Sequence, residues 1–362
     1  MSSSSRLRQN NLGVVFPHCL IVDIFGKLPV KSLVRFKNLS KQWFRLFTDP
    51  RFIDLHLSNQ KKKFPRFVTA SNTSISFVLN SCDGLLCLYE PSHVIVINPA
   101  TVEFRCLCIR SQWCYSDDRL AIGRDSVTKR YKIVRVFETV VSKPGPLERR
   151  DICEVFSLDP NWECDWKTIG EVPYKIHVFS RSVHVDGAIY WFTDEIKHLN
   201  KTEVIIMFDL HIEQFQAIPH PSSCSNKERK TMQLGNLREC LCLAQQVPYS
   251  DLNVWIMEKQ KQKITWEKLY CIRLPRNDLH VGRGFAFAEH KDGTLVVCTM
   301  DDVFLYKRND GIRRVTYGYG RHISPPPTAF TGSIVPLYGY SVGQFKDLPI
   351  KFTEIPIFPV KP

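Results

Sequence analysis

No run of apolar residues in this 362-residue chain approaches the roughly 20 that a membrane-spanning helix needs. The nearest candidate for a secretory leader, residues 14–25, is broken by Pro17, His18 and Asp23 and offers no small-residue cleavage site, so no signal peptide is expected. Nor is there a cysteine framework. The 13 cysteines are odd in number and scattered, which points to reduced thiols in a cytoplasmic and/or nuclear protein. In the pairs Cys106/Cys108 and Cys240/Cys242 a single residue intervenes, where zinc sites prefer about two to four. Alternate residues of a strand share a face, so both pairs read as neighbouring core thiols. Catalytic motifs are missing as well: there is no HExxH, no P-loop and no GxSxG. Gly282-Arg-Gly284 and Gly318-Tyr-Gly320 lack the third glycine and the strand-to-helix setting of a dinucleotide fingerprint. No spacing of Cys and His singles out a nucleophile and its base. A non-catalytic chain without cofactor or metal is therefore expected.

What the chain does have begins at Phe16 and runs to Leu57. Leu20, Ile21, Ile24, Phe25 and Leu28 recur at helical intervals. Pro29 stops that helix and suits the first position of a second, with Val30, Leu33, Val34 and Phe36 as its apolar set. Ser40 is placed to cap a third, which carries Trp43, Phe44, Leu46 and Phe47 and closes at Asp49-Pro50. So short a segment cannot bury enough surface to stand alone, and is expected to pack on the rest of the chain or on a partner.

These residues resemble the F-box in the form common among plant F-box proteins. The match comprises Pro17, Leu20, Ile24, Leu28-Pro29-Val30-Lys31-Ser32-Leu33, Arg35-Phe36, Ser40-Lys41, Trp43, Asp49-Pro50 and His56-Leu57. The resemblance implies docking of a Skp-family adaptor and, through it, a cullin-based ubiquitin ligase of the SCF type. It assigns the adaptor contact to Pro17, Leu20, Ile24, Leu28, Pro29, Val30, Leu33 and Phe36, and places Trp43 in the F-box core.

Charge is unevenly spread. Residues 1–66 hold 13 Lys and Arg against Asp23, Asp49 and Asp54, so most of the chain's net charge of +13 sits there. A basic module suits an acidic partner by steering. The densest run, Lys61-Lys62-Lys63, reads as a solvated linker.

Beyond Arg66 helical periodicity fades and short strands take over. Asp-Gly falls beside apolar runs at Asp83-Gly84, Asp186-Gly187, Asp292-Gly293 and Asp310-Gly311, each the signature of a tight hairpin. Strand–turn–strand units start near Val96, Val155, Ile206, Val254 and Val303, at intervals of 48–59 residues. A multi-stranded repeat of about 50 residues is the size of a kelch-type propeller blade. Residues 67–362 would fill about six. Radial sheets hide most strand edges, which favours closure into a ring, with a stacked β-sandwich array as the alternative.

The same stretch resembles the F-box-associated domain of plant F-box proteins. The resemblance is carried by Ser81-Cys82-Asp83-Gly84-Leu85-Leu86-Cys87, Asn98-Pro99-Ala100-Thr101, Asp186-Gly187-Ala188-Ile189-Tyr190-Trp191 and Gly332-Ser333-Ile334-Val335-Pro336-Leu337, among other pieces in the family's order. The expected architecture is α+β and multidomain. It comprises a disordered N-terminus (1–15), a three-helix F-box (16–57), a basic linker (58–66), an all-β propeller-like domain of about six blades (67–345) and a C-terminal tail (346–362). By the resemblance, the β-domain holds a target protein for ubiquitination and the chemistry belongs to other subunits. Trp113, in the polar stretch Ser-Gln-Trp-Cys-Tyr-Ser-Asp-Asp, is a candidate anchor for that target. The alternative is a basic, propeller-like module that binds nucleic acid or acts outside a ligase. Nucleic acid is disfavoured because the charge is interleaved with core positions and few surface aromatics accompany it.

Overall fold

The computed structural model describes residues 17–63, 66–71, 78–90, 93–109, 119–141, 148–158, 165–176, 181–193, 204–221, 232–247, 251–260, 263–273, 285–299, 302–316, 328–337 and 351–355. It opens with four helices rather than three: α1 (His18–Lys27), α2 (Val30–Lys37), α3 (Lys41–Thr48) and α4 (Pro50–Lys61). Ser40 caps α3 as expected, its Oγ accepting from the Trp43 N–H at 3.2 Å. Asp49-Pro50 does end α3, but it also starts α4. The Asp49 carboxylate accepts from the Arg51 N–H at 2.7 Å, and Pro50 occupies the first turn, where its missing N–H costs nothing.

Five four-stranded antiparallel blades follow. Blade 1 comprises β2 (Val78–Cys82), β3 (Leu85–Glu90), β4 (His93–Asn98) and β5 (Glu103–Cys108). Blade 2 comprises β6 (Arg119–Arg124), β7 (Tyr131–Val141), β8 (Glu148–Leu158) and β9 (Lys167–Glu171). Blade 3 comprises β10 (Val183–Val185), β11 (Ala188–Phe192), β12 (Val204–Asp209) and β13 (Gln214–Pro219). Blade 4 comprises β14 (Met232–Leu237), β15 (Cys240–Gln246), β16 (Asp251–Gln260) and β17 (Lys263–Arg273). Blade 5 comprises β18 (Ala286–Glu289), β19 (Leu295–Cys298), β20 (Asp302–Lys307) and β21 (Gly311–Thr316).

The expectation of about six blades is thereby corrected to five. The remaining place in the ring is filled by a three-stranded sheet in which β1 (Arg66–Ser71) pairs with both β22 (Thr328–Phe330) and β23 (Lys351–Ile355). A period count cannot find this sheet, because its strands come from the two ends of the chain. The inner strands β2, β6, β10, β14, β18 and β22 succeed one another around the axis, with β22 returning to β2. Segment 346–362, read from sequence as a tail, contains β23.

Burial follows strand position. Second strands lie between neighbouring sheets on both faces and read as unbroken apolar runs: Leu85-Leu86-Cys87-Leu88, Ala188 to Phe192 and Leu295 to Cys298 are all buried. Outer strands such as β13 alternate between exposed and half-buried residues over most of their length. The helices share a core with blade 1. Val30, Leu33, Phe47, Phe52 and Ile53 cluster with Cys82, Leu85, Val94 and the segment Ile334 to Leu337.

Candidate functional site

The helical module presents two apolar sides. One faces the propeller: Leu33 is 1% exposed and Val30 6%, both inside the shared core. The other faces solvent: Leu20 is 43% exposed and Ile24 48%, one helical turn apart on α1. Of the remaining adaptor-contact residues expected from sequence, Pro17 and Pro29 are exposed and Leu28 and Phe36 are half-buried. Leu39, Phe44 and Leu55 are further exposed apolar residues of the same module. Periodicity placed Phe44 in an apolar set without telling which side of the module it would face, because both sides are apolar.

The two sides are held apart by a rigid interior. Trp43, half-buried, packs edge-on against Phe25 with centroids 4.9 Å apart and stacks on Phe47 at 6.3 Å. The helix α1 C-terminus is tied to α4: Asn59 Nδ2 donates to Gly26 O at 3.1 Å, and His56 Nε2 and Gln60 Nε2 each lie 3.0 Å from Leu28 O. Burial lowers the pKa of His56, opposed in part by the Leu28 carbonyl.

Helix α4 ends at the mouth of the propeller's central channel. There Lys61 Nζ lies 3.2 Å from Asp83 Oδ1 and 3.0 Å from Glu239 Oε1. Burial alone would lower the Lys61 pKa, but the two carboxylates outweigh it and leave it raised. Lys61 is therefore an engaged residue, which corrects its reading as part of a solvated linker. Two turns back along α4, Asp54 Oδ1 pairs with Arg124 Nη1 at 2.7 Å. Asp83 binds the Tyr131 hydroxyl as well, which donates to Oδ2 at 3.2 Å. Asp83 can do this because Asp83-Gly84 forms the left-handed turn expected of it, with φ of 50° and 85°. A side chain on Gly84 would come within 2.4 Å of Thr331 O, so the turn also needs glycine for close approach.

The matching turn of blade 4 carries no Asp-Gly. Arg238 and Glu239 adopt φ of 55° and 58°, strained values for such residues. Arg238 forks onto Glu289 at 2.8 and 2.6 Å, while Glu239 reaches Lys61. Sequence reading missed this turn, since Arg-Glu carries no turn signal.

Among the described residues, no group of three or more Cys, His, Asp or Glu could hold a metal. Cys106 and Cys240 are half-buried, Cys108 is exposed and Cys242 is buried; all are free thiols. Cys82 Sγ lies 3.3 Å from His184 Nδ1 at the channel mouth. Burial pushes the thiol well up, with the charge of Asp83 adding to it, and pushes the imidazole down. Both shifts oppose a thiolate–imidazolium pair. Trp113 lies outside the described residues.

The comparisons with known proteins agree with this architecture. Residues 16–55 match the F-box domain and residues 46–335 match the F-box associated beta propeller domain. The second match starts inside α3 and takes in α4, so the expected placement of that domain wholly C-terminal to the F-box does not hold. Similar proteins of Arabidopsis thaliana include an F-box/LRR-repeat protein, 28% identical over 70% of this chain and 66% of its own length. They also include an F-box/kelch-repeat protein, 27% identical over 74% and 69%, and the F-box protein CPR1, 26% identical over 72% and 74%. The chain thus spans about two thirds of the length of the first relatives it matches. With four-fifths of its residues inside the propeller match and an F-box ahead of it, the chain belongs to the F-box associated β-propeller family.

Proposed function

We propose that this protein is a substrate-recognition subunit of an SCF-type ubiquitin ligase, working in the cytoplasm or nucleus. Its F-box docks a Skp-family adaptor, its propeller holds a target protein, and the transfer chemistry belongs to other subunits. The observation that carries this reading is the two-sided helical module. Its inner side, Val30 and Leu33, is consumed by packing on blade 1, while Leu20 and Ile24 are left bare on the outer side. Isolated apolar residues are ordinary on a surface, but a contiguous set on a basic module is suited to a partner. Pro17, Leu20, Ile24, Leu28, Pro29 and Phe36 form the docking surface; Val30 and Leu33 support it from beneath.

We infer the target face from strand alternation. The β2–β3, β10–β11, β14–β15 and β18–β19 turns line the channel mouth beside α4. The other ends of these strands point away from α4. Target binding there would place it clear of the F-box, and loops are where specificity usually resides.

The test is binding of the full chain to a purified Skp-family adaptor, with Leu20→Asp/Ile24→Asp beside it. Binding is expected to fall by roughly tenfold or more in the variant, since a charge is forced into an apolar contact, while the thermal melt stays unchanged. Unaltered binding by a folded variant would remove the docking assignment.

A further inference from the structure

The channel mouth contains an open cavity of about 820 Å³, lined by the inner-strand turns and the end of α4. Pockets of about 300–1,000 Å³ are the size that takes small ligands. Nine Lys and Arg line it against five Asp and Glu. Most of these carboxylates are committed to particular partners. Asp83 serves Lys61 and Tyr131, Glu239 serves Lys61, and Glu289 serves Arg238 and the Tyr270 hydroxyl. Asp125 Oδ1 accepts from the Val127 and Thr128 N–H groups of its own turn, and its Oδ2 faces His211.

The cations come from different sides of the cavity. Lys62 and Lys63 stand at the end of α4, Lys129 on the β6–β7 turn and Lys291 on the β18–β19 turn, with Arg66 and Arg181 also on the wall. Burial and the neighbouring Arg66 lower the pKa of Lys63, and burial lowers that of Arg181 to about 10. Positive charge is thus crowded and partly stripped of water. A single carboxylate could answer one of these walls. Several walls at once call for a ligand that carries several charges around its perimeter.

We propose that the channel mouth is a binding site for a small, multiply phosphorylated molecule, held between Lys62 and Lys63 of the helical module and Lys129, Arg181 and Lys291 of the propeller. Such a ligand bridges α4 to the blade turns and stiffens the joint that Lys61 already forms with Asp83 and Glu239.

The probe is tripolyphosphate, titrated calorimetrically into the full chain, with sulfate at matched ionic strength as control. One saturable site is expected, absent with sulfate and weakening as salt is raised. Lys63→Gln/Lys291→Gln changes only exposed side chains and is expected to bind roughly tenfold or more weakly, as charge-assisted contacts to phosphate are lost. Because a variant could lose binding through misfolding, the wild-type chain is also acylated with and without the probe. Protection confined to Lys62, Lys63, Lys129 and Lys291, and absent at Lys27 and Lys307, supports the site. The proposal is overturned by no saturable binding, by equal affinity in the double variant, or by protection that does not distinguish channel lysines from the rest.

Discussion

Leu33 and Ile24 are apolar residues of near-equal size, nine positions apart, with opposite surroundings. Leu33→Ala opens a cavity in the core shared with blade 1 and is expected to cost about 2–5 kcal/mol in denaturant unfolding. Ile24→Ala removes a half-exposed side chain and is expected to stay within roughly 0.5 kcal/mol. Helical spacing identified both as apolar-face residues. It could not divide them between layers, because spacing reports that a residue lies on an apolar face and not what covers that face. His56 gives a pH signature. It is buried, its Nδ1 has no hydrogen-bond partner, and its pKa lies below the ordinary 6.5. As pH falls, the unfolded chain takes up this proton first. Stability is therefore complete above about pH 6.5 and declines as pH drops from there towards the lowered value. Melting temperature is expected to fall between pH 7 and pH 5.5, with a shallower slope in His56→Gln. An equal slope in the two proteins would count against it.

At the scale of elements, turns carry the fold's strain. Val102, a β-branched residue, closes the β4–β5 turn at φ 60°, where Asn98 Oδ1 accepts from the Ala100 N–H and Asn98 O from the Val102 N–H. Val102→Asn keeps the turn and relieves the left-handed penalty, so stability should rise by about 1 kcal/mol. A melt lower than wild type would show that packing of the valine outweighs its backbone. The Asp83-Gly84 turn does a second job as the hub for Lys61, Arg124 and Tyr131. Asp83→Asn tolerates the same φ but loses the charge. It should destabilise by roughly 1–3 kcal/mol, and limited proteolysis should show faster cleavage at the α4–β1 junction. The hairpin role of Asp83-Gly84 was legible in the dipeptide. Its grip on α4 was not, since Lys61 lies 22 residues upstream in the chain. Asp49-Pro50 shows the converse. The pair signals a helix boundary, yet only the run of residues after it decides whether a helix ends there or another begins.

The whole molecule is a ring closed by its own ends. β1 pairs from Arg66 to Val68 with β22 and from Phe67 to Ser71 with β23. Deleting residues 346–362 removes β23 and bares an edge of β1, so the truncated protein should melt at lower temperature and aggregate in light scattering. A truncation as stable and as soluble as the full chain would show that β23 is dispensable to closure.

Local chemistry determined much of this protein from its sequence alone: helices near the start, strands thereafter, hairpins at Asp-Gly, a blade-sized repeat and the absence of a catalytic motif. Each of these depends on residues within a few positions of one another, and spacing reports such contacts directly. Tertiary structure decided the rest. The three-stranded closing sheet, the burial of Leu33 in the core shared with blade 1, the capture of Lys61 by Asp83 and Glu239, and the fork of Arg238 onto Glu289 all join segments far apart in the chain. Contacts of that kind leave no period or motif behind, because each partner's residue type is unremarkable until folding brings the other beside it.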